Sequence, residues 1–181
     1  MKKLSNILLF TLLISVAMSA QKTKEAVLKK LDSQTEKYGS IAMQIWDLAE
    51  MGYLEEQSSS LLQETLSKEG FTIKKSVADI PTAFVAEYGS GLPIIAILGE
   101  FDALPGLSQQ AIPEKKSANG NAGHACGHHL FGTASAAAAI SVKQWMQSTK
   151  QKGTIRFYGC PAEEGGGAKV YMAREGLFDD V

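Results

Sequence analysis

Histidine and cysteine are scarce in this chain, and the scarcity narrows what it can do. Two cysteines in 181 residues are too few for a disulfide-stapled scaffold, and no Cys-x-x-Cys pair exists for dithiol redox work. None of the three histidines lies beyond position 129. Excess charge is also missing. With 18 basic and 19 acidic residues the formal net charge is −1, which gives no basic stripe to hold nucleic acid or a membrane surface. There is no Gly-x-Ser-x-Gly of a serine hydrolase, and Gly165-Gly166-Gly167-Ala168-Lys169 lacks the spacing and the Ser/Thr of a phosphate loop. Internal repeats and low-complexity tracts are absent, and after residue 20 no apolar run approaches the roughly 20 residues that span a bilayer. What is present is an ordinary globular composition, 45% hydrophobic and 20% charged, enough for one domain whose partner is a small molecule or short peptide.

The first twenty residues stand apart. Lys2-Lys3 precede an apolar run from Ile7 to Ala17, and small residues follow around Met18-Ser19-Ala20. A basic start, a short apolar core and a small-residue end describe a secretory signal peptide, residues 1–20, cut near Ala20. Residues 21–181 are then expected in a periplasmic or extracellular space, with no membrane contact after cleavage. Such a space is oxidising, so a Cys126–Cys160 disulfide competes with metal ligation as a use for the two thiols.

Apolar residues at three- and four-residue spacing (Val27, Leu28, Leu31, then Ile41, Ile45, Leu48) predict helix from residue 23 onward. Ser58–Lys68 reads as a further helix stopped by Gly70, with Trp46 and Tyr53 as packing residues. The period then becomes two. Strands are expected at 71–73, 82–88 and 93–98, with Gly89-Ser90-Gly91 as a tight hairpin link between the last two. The unbroken apolar run Ile94–Leu98 predicts a strand buried on both faces. A helix over 130–146, a fourth strand over 153–159 and a helix over 168–175 complete the alternation. This pattern predicts an α/β fold with a mixed, mostly parallel sheet and helices on both faces. The chain stops at Val181 where another strand is due, and so reads as a fragment.

Chemistry concentrates in two stretches. Gly123-His124-Ala125-Cys126-Gly127-His128-His129 gathers all three histidines around one cysteine, and thiolate and imidazole are donors that zinc prefers. Cys126 and His128 are two apart, a spacing that on a strand or extended turn points both side chains to one side. Not all of His124, His128 and His129 can be ligands; one is left to orient a ligand or the substrate. Downstream, Pro161-Ala162-Glu163-Glu164 lies in a glycine-rich turn after a strand. In an extended turn neighbouring side chains point opposite ways, so one carboxylate can bind metal while the other faces a water whose pKa zinc lowers to about 7. Glu100 and Asp102 emerge at the carboxyl end of the 93–98 strand, the edge where ligands of open α/β sheets gather. Together these parts are the minimum equipment for metal-dependent amide hydrolysis.

In this order and at these intervals, Gly99-Glu-Phe-Asp-Ala-Leu-Pro-Gly106, Gly123-His-Ala-Cys-Gly-His128 and Pro161-Ala-Glu-Glu-Gly-Gly166 resemble the metallo-amidohydrolase and carboxypeptidase family. That family includes aminoacylases, hippurate hydrolase and the indoleacetyl-amino-acid hydrolases. The resemblance implies a zinc-peptidase-like catalytic domain, with residues 21–181 as its N-terminal part. It also implies a two-metal site, zinc or manganese, that cleaves the amide between an acyl group and an amino acid, as in aminobenzoyl-glutamate, N-acyl amino acids or dipeptides. Carried over by position, Cys126 would bridge or bind metal, His128 and Glu164 would be ligands, Glu163 the general base, and Asp102 would steady a ligand imidazole. His129 departs from the Asp or Asn usual there, His124 receives no role, and Cys160 is structural. The resemblance further implies histidine ligands after the glutamate pair and an inserted domain that covers the site and mediates homodimerisation. Neither is found in these 181 residues, which are therefore expected to be inactive alone. The competing expectation is a non-catalytic exported module of the same fold, with Cys126 and Cys160 oxidised and no metal.

Overall fold

The computed structural model describes residues 24–181, so the expected signal peptide lies outside the described residues. Among them no helix is long and apolar enough to cross a membrane. The chain divides into two compact units at Glu36. In the first, residues 24–32 form helix α1, on which Leu28 is exposed. The second carries the chemistry.

Helix α2 (Thr35–Leu48) turns Tyr38, Ile41, Ala42 and Ile45 inward, the stripe that three- and four-residue spacing produces. Helix α3 (Glu56–Lys68) buries Leu62 and Leu66 completely, each worth about 2 kcal/mol of apolar transfer. The first N–H groups of a helix have no acceptor of their own. In α3 the Glu50 carboxylate supplies it, accepting from Gln57 N–H at 3.0 Å and from Ser58 N–H at 2.8 Å.

Four strands follow: β1 (Thr72–Lys75), β2 (Phe84–Ser90), β3 (Ile94–Gly99) and, after a two-stranded ribbon of β4 (Leu104–Pro105) and β5 (Ala122–Gly123), β6 (Gly153–Gly159). Helix α4 (His128–Thr149) links β5 to β6, and α5 (Ala168–Arg174) comes last. The sheet order is β1-β2-β6-β3. This corrects the expected hairpin. β2 and β3 never pair, because β6 lies between them: Ile155 faces Tyr88 on the antiparallel side and Ile95 on the parallel side. Gly89 serves close approach rather than a hairpin, since a Cβ there would lie 2.2 Å from the Gly153 carbonyl oxygen.

The sheet is mixed, with helices on both faces. Three of its four strands, β1, β3 and β6, run in one direction and β2 alone is reversed, so direct parallel pairing occurs between β3 and β6. Parallel neighbours need a long crossover, and only the segment containing α4 provides one. β3 departs from its expected burial. Among the described residues it pairs on one side only, and Ile95 is 53% exposed. On one face of the sheet, Phe84 and Phe157 stack at 5.6 Å beneath α3 and α4. On the other, Val77, Val85, Tyr158, Cys160 and Met172 pack with α5.

Candidate metal centre

The site forms where β3 ends, α4 begins and the turn after β6 comes back over both. Past Gly99, Glu100 and Asp102 flank the buried Phe101. Phe101 is fully buried against Phe84, with ring centroids 6.3 Å apart. Glu100 and Asp102 both reach His128, the first residue of α4. Gly127 enters the helix with φ 90°, a left-handed geometry glycine adopts without strain. One turn later Gly132 lets α4 lie against the strand end: a Cβ there would sit 2.3 Å from the Glu100 carbonyl oxygen.

Asp102 Oδ1 lies 2.8 Å from His128 Nδ1, and a carboxylate can only accept, so Nδ1 carries the proton. The other oxygen, Oδ2, accepts from the Glu164 backbone N–H at 2.8 Å. One buried carboxylate thus ties the imidazole to the glutamate turn. His128 Nε2 is left facing three acids: Glu100 Oε2 at 3.0 Å, Glu163 Oε2 at 3.8 Å and Glu164 Oε1 at 4.0 Å. Lys169 of α5 ion-pairs with Glu100. A nitrogen this close to carboxylates needs a positive charge between them, whether a proton or a metal ion.

The donors fit a divalent ion. Cys126 Sγ, His128 Nε2 and a Glu164 oxygen lie within 4.8 Å of one another, and so do donor atoms of Glu100, His128 and Glu163. Zinc stands about 2.0–2.3 Å from each such ligand, so three donors this close can share one ion. Without a cation Cys126 is held as a thiol. Its hydrogen bond with Glu164, some burial and the nearby carboxylates all push its pKa up. A metal ion reverses that, because it favours the thiolate.

Two local expectations change. Cys126 and His128 are brought together by the turn into α4, not by an extended segment. Glu163 and Glu164 do not point apart; both reach toward His128, because Ala162 takes a left-handed φ of 52° and curls the turn. The two thiols are free, Cys126 exposed and Cys160 buried, so the disulfide reading finds no pairing here. Burial pushes the Cys160 thiol up to about 12.

His124 and His129 stand behind the site. Their rings lie 4.9 Å apart, and the Trp46 ring meets His129 edge-on at 4.9 Å. His124 Nε2–H donates to the Ile45 carbonyl at 3.0 Å. Burial lowers the His124 pKa and takes that of His129 to about 4, so both are neutral near pH 7. The sequence reading missed Lys169, and it saw Glu100 only as an acid at a strand end. It also missed Glu55, which is fully buried and accepts from the Ala162 N–H at 2.8 Å. Nor is Tyr53 a core residue: it is 39% exposed and its hydroxyl donates to the Gly166 carbonyl at 2.6 Å.

Comparison with known proteins bears on this arrangement. Residues 96–181, which hold every residue of the cluster, match peptidase family M20/M25/M40. The chain is 50% identical over 153 residues to a subunit of the p-aminobenzoyl-glutamate hydrolase of Escherichia coli, covering 83% of this chain and 32% of that protein. It is 28% identical over 179 residues to the mouse Xaa-Arg dipeptidase, covering 92% of this chain and 38% of that protein. The chain therefore spans about a third of the length of these relatives. Among solved structures it resembles a dinuclear metal binding peptidase of Bacillus subtilis, with a TM-score of 0.71 and 24% identity over 83% of this chain and 42% of that one. That likeness shows a shared fold.

Proposed function

Residues 96–181 belong to peptidase family M20/M25/M40, and on that premise we propose that the whole protein hydrolyses the amide bond between an acyl group and an amino acid. The substrate class is that of p-aminobenzoyl-glutamate, the compound named for a relative 50% identical to this chain. The observation that carries the proposal is the convergence of Cys126, His128 and Glu164 donors within 4.8 Å of one another. These three would hold metal, and a pair of divalent ions, zinc or manganese, would supply Lewis acidity to the scissile carbonyl and acidify water.

The chain's own residues do the rest. Asp102 holds the proton on His128 Nδ1, which keeps the Nε2 lone pair for a ligand role. Glu163, with its side chain 43% exposed beside His128, would act as general base. It takes a proton from the attacking water as the C–O bond forms, and gives one to the leaving nitrogen as the C–N bond breaks. The chain spans about a third of the length of its relatives, so the activity proposed is that of the whole protein. Export through cleavage near Ala20, and a homodimeric whole protein, complete the proposal.

The test measures bound metal and p-aminobenzoyl-glutamate hydrolysis by the full-length protein, with Glu163→Gln as a variant that should bind metal yet lose at least 100-fold in turnover. Full activity of that variant, or hydrolysis unaffected by chelation, would sink the proposal. A dipeptidase reading has support from the mouse relative, and dipeptide turnover in the same assay decides between the two.

A further inference from the structure

The turn that presents Glu163 and Glu164 is not held by its own hydrogen bonds alone. Ala162 has φ 52°, left-handed for an L-residue, and its carbonyl accepts from Gly166 N–H and Gly167 N–H at 3.1 and 2.7 Å. Its own N–H would be an orphan in the protein interior. The partner comes from 107 positions away: Glu55 Oε1 accepts it at 2.8 Å, while Glu55 Oε2 accepts from the Thr82 hydroxyl at 3.1 Å. Glu55 is fully buried and stands at the N-cap position of α3, where a side chain can accept from the first helical N–H groups, yet it makes no such bond. Glu50 has taken that task, so the Glu55 carboxylate is free to reach across.

The same loop holds the other end of the turn through the Tyr53 hydroxyl on Gly166. Gly52 is needed for the approach, since a Cβ there would lie 3.0 Å from the Ala162 Cβ. The loop also grips the segment that carries Glu100 and Asp102: Ala103 N–H donates to the Glu50 carbonyl at 2.8 Å, and Met51 bridges Ala103.

We propose that Glu55 is a positioning residue, and that the loop 50–55 is a clamp fixing the Glu163–Glu164 turn at its distance from His128 and Asp102. The proposal rests on the metal-hydrolase reading for its purpose, but not for its geometry. Neither Glu55 nor Tyr53 touches the metal donors; they act through the backbone of Ala162 and Gly166.

The experiment compares wild type, Glu55→Gln and Glu55→Met in the full-length protein. A glutamine keeps one oxygen for the Ala162 N–H and turns an amide toward the Thr82 hydroxyl, which can accept. Methionine fills the space and offers no acceptor. In metal-free protein, hydrogen exchange of the 162–167 amides should rise at least tenfold in Glu55→Met, with α4 unchanged, and return toward wild type in Glu55→Gln. Cobalt titration should show about tenfold weaker binding and an altered d–d spectrum in Glu55→Met only. Exchange and cobalt binding equal to wild type in Glu55→Met would overturn the clamp, as would a uniform rise in exchange across the fold. If Glu55→Met does not fold, Tyr53→Phe, at a partly exposed position, reads the Gly166 end of the clamp by the same two measurements. Should wild type bind no cobalt, the hydrolase reading falls, and the exchange data still decide the clamp.

Discussion

Asp102→Asn tests the centre at its most connected atom pair. Asp102 is 2% exposed, and its two oxygens accept from His128 Nδ1–H and Glu164 N–H, each at 2.8 Å. An asparagine of the same shape has one acceptor for two donors. If its oxygen stays with Glu164 N–H, its amide group faces Nδ1, and the neutral ring must carry its proton on Nε2 instead. That blocks the nitrogen that points at Glu100, Glu163 and Glu164. If the oxygen stays with Nδ1–H, the Glu164 N–H meets a donor, and an unpaired buried N–H costs about 1–3 kcal/mol. Loss of the group that orients a ligand imidazole typically weakens metal binding about 10–100-fold, or about 1.4–2.7 kcal/mol. Competition with a chromophoric chelator measures the zinc affinity of the full-length protein, and nitrogen-detected NMR of the metal-free protein reads the His128 tautomer. Wild-type zinc affinity together with an unchanged Nδ1–H tautomer would refute the reasoning, because it would mean that Asp102 controls neither proton nor position.

Three further outcomes are expected. In the native metal-free protein one thiol, the exposed Cys126, should react with a disulfide reagent, while buried Cys160, pushed up to about 12, waits for denaturant; no free thiol before reduction would support the oxidised module instead. Gly132→Ala puts a methyl 2.3 Å from the Glu100 carbonyl, so α4 must shift off the strand end at a cost of about 1–3 kcal/mol or more in a urea titration, and an unchanged midpoint would contradict the packing described. His129 is neutral when folded down to about pH 4 and protonates near 6.5 when unfolded, so its share of stability is full above pH 6.5 and is lost as the pH falls toward 4. That share is on the order of 3 kcal/mol, and His129→Gln should flatten the pH dependence of unfolding over that range; an unflattened slope would exclude His129 as its source.

How far the sequence discloses the molecule depends on how local each feature is. Strand and helix positions come from neighbouring residues, and β6 at Gly153–Gly159 and α5 at Ala168–Arg174 lie where periodicity places them. Sheet order is not local: the insertion of β6 between β2 and β3 pairs residues 84–90 with 153–159, and nothing in Gly89-Ser90-Gly91 announces it. The chemistry divides in the same way. Cys126 and His128 are legible because soft donors at short spacing are rare in a chain with so few of them. The direction of Glu163 and Glu164 is not, because it follows from a left-handed Ala162, a conformation that an alanine gives no reason to expect.

Glu55 is the sharpest case. In sequence it is one of two adjacent glutamates at a helix start, where a carboxylate facing the positive end of the helix dipole is the ordinary reading. The signal that points elsewhere is that a second acid, Glu50, lies five positions earlier and can reach the same helix N–H groups, leaving Glu55 without that role. A buried carboxylate needs donors, and it finds them in the Thr82 hydroxyl and in the backbone of the turn bearing Glu163 and Glu164. Candidate metal donors can thus be read from their own types and spacing, while the groups proposed to aim them are ordinary glutamates and tyrosines, identifiable only once the chain has brought distant backbone within reach.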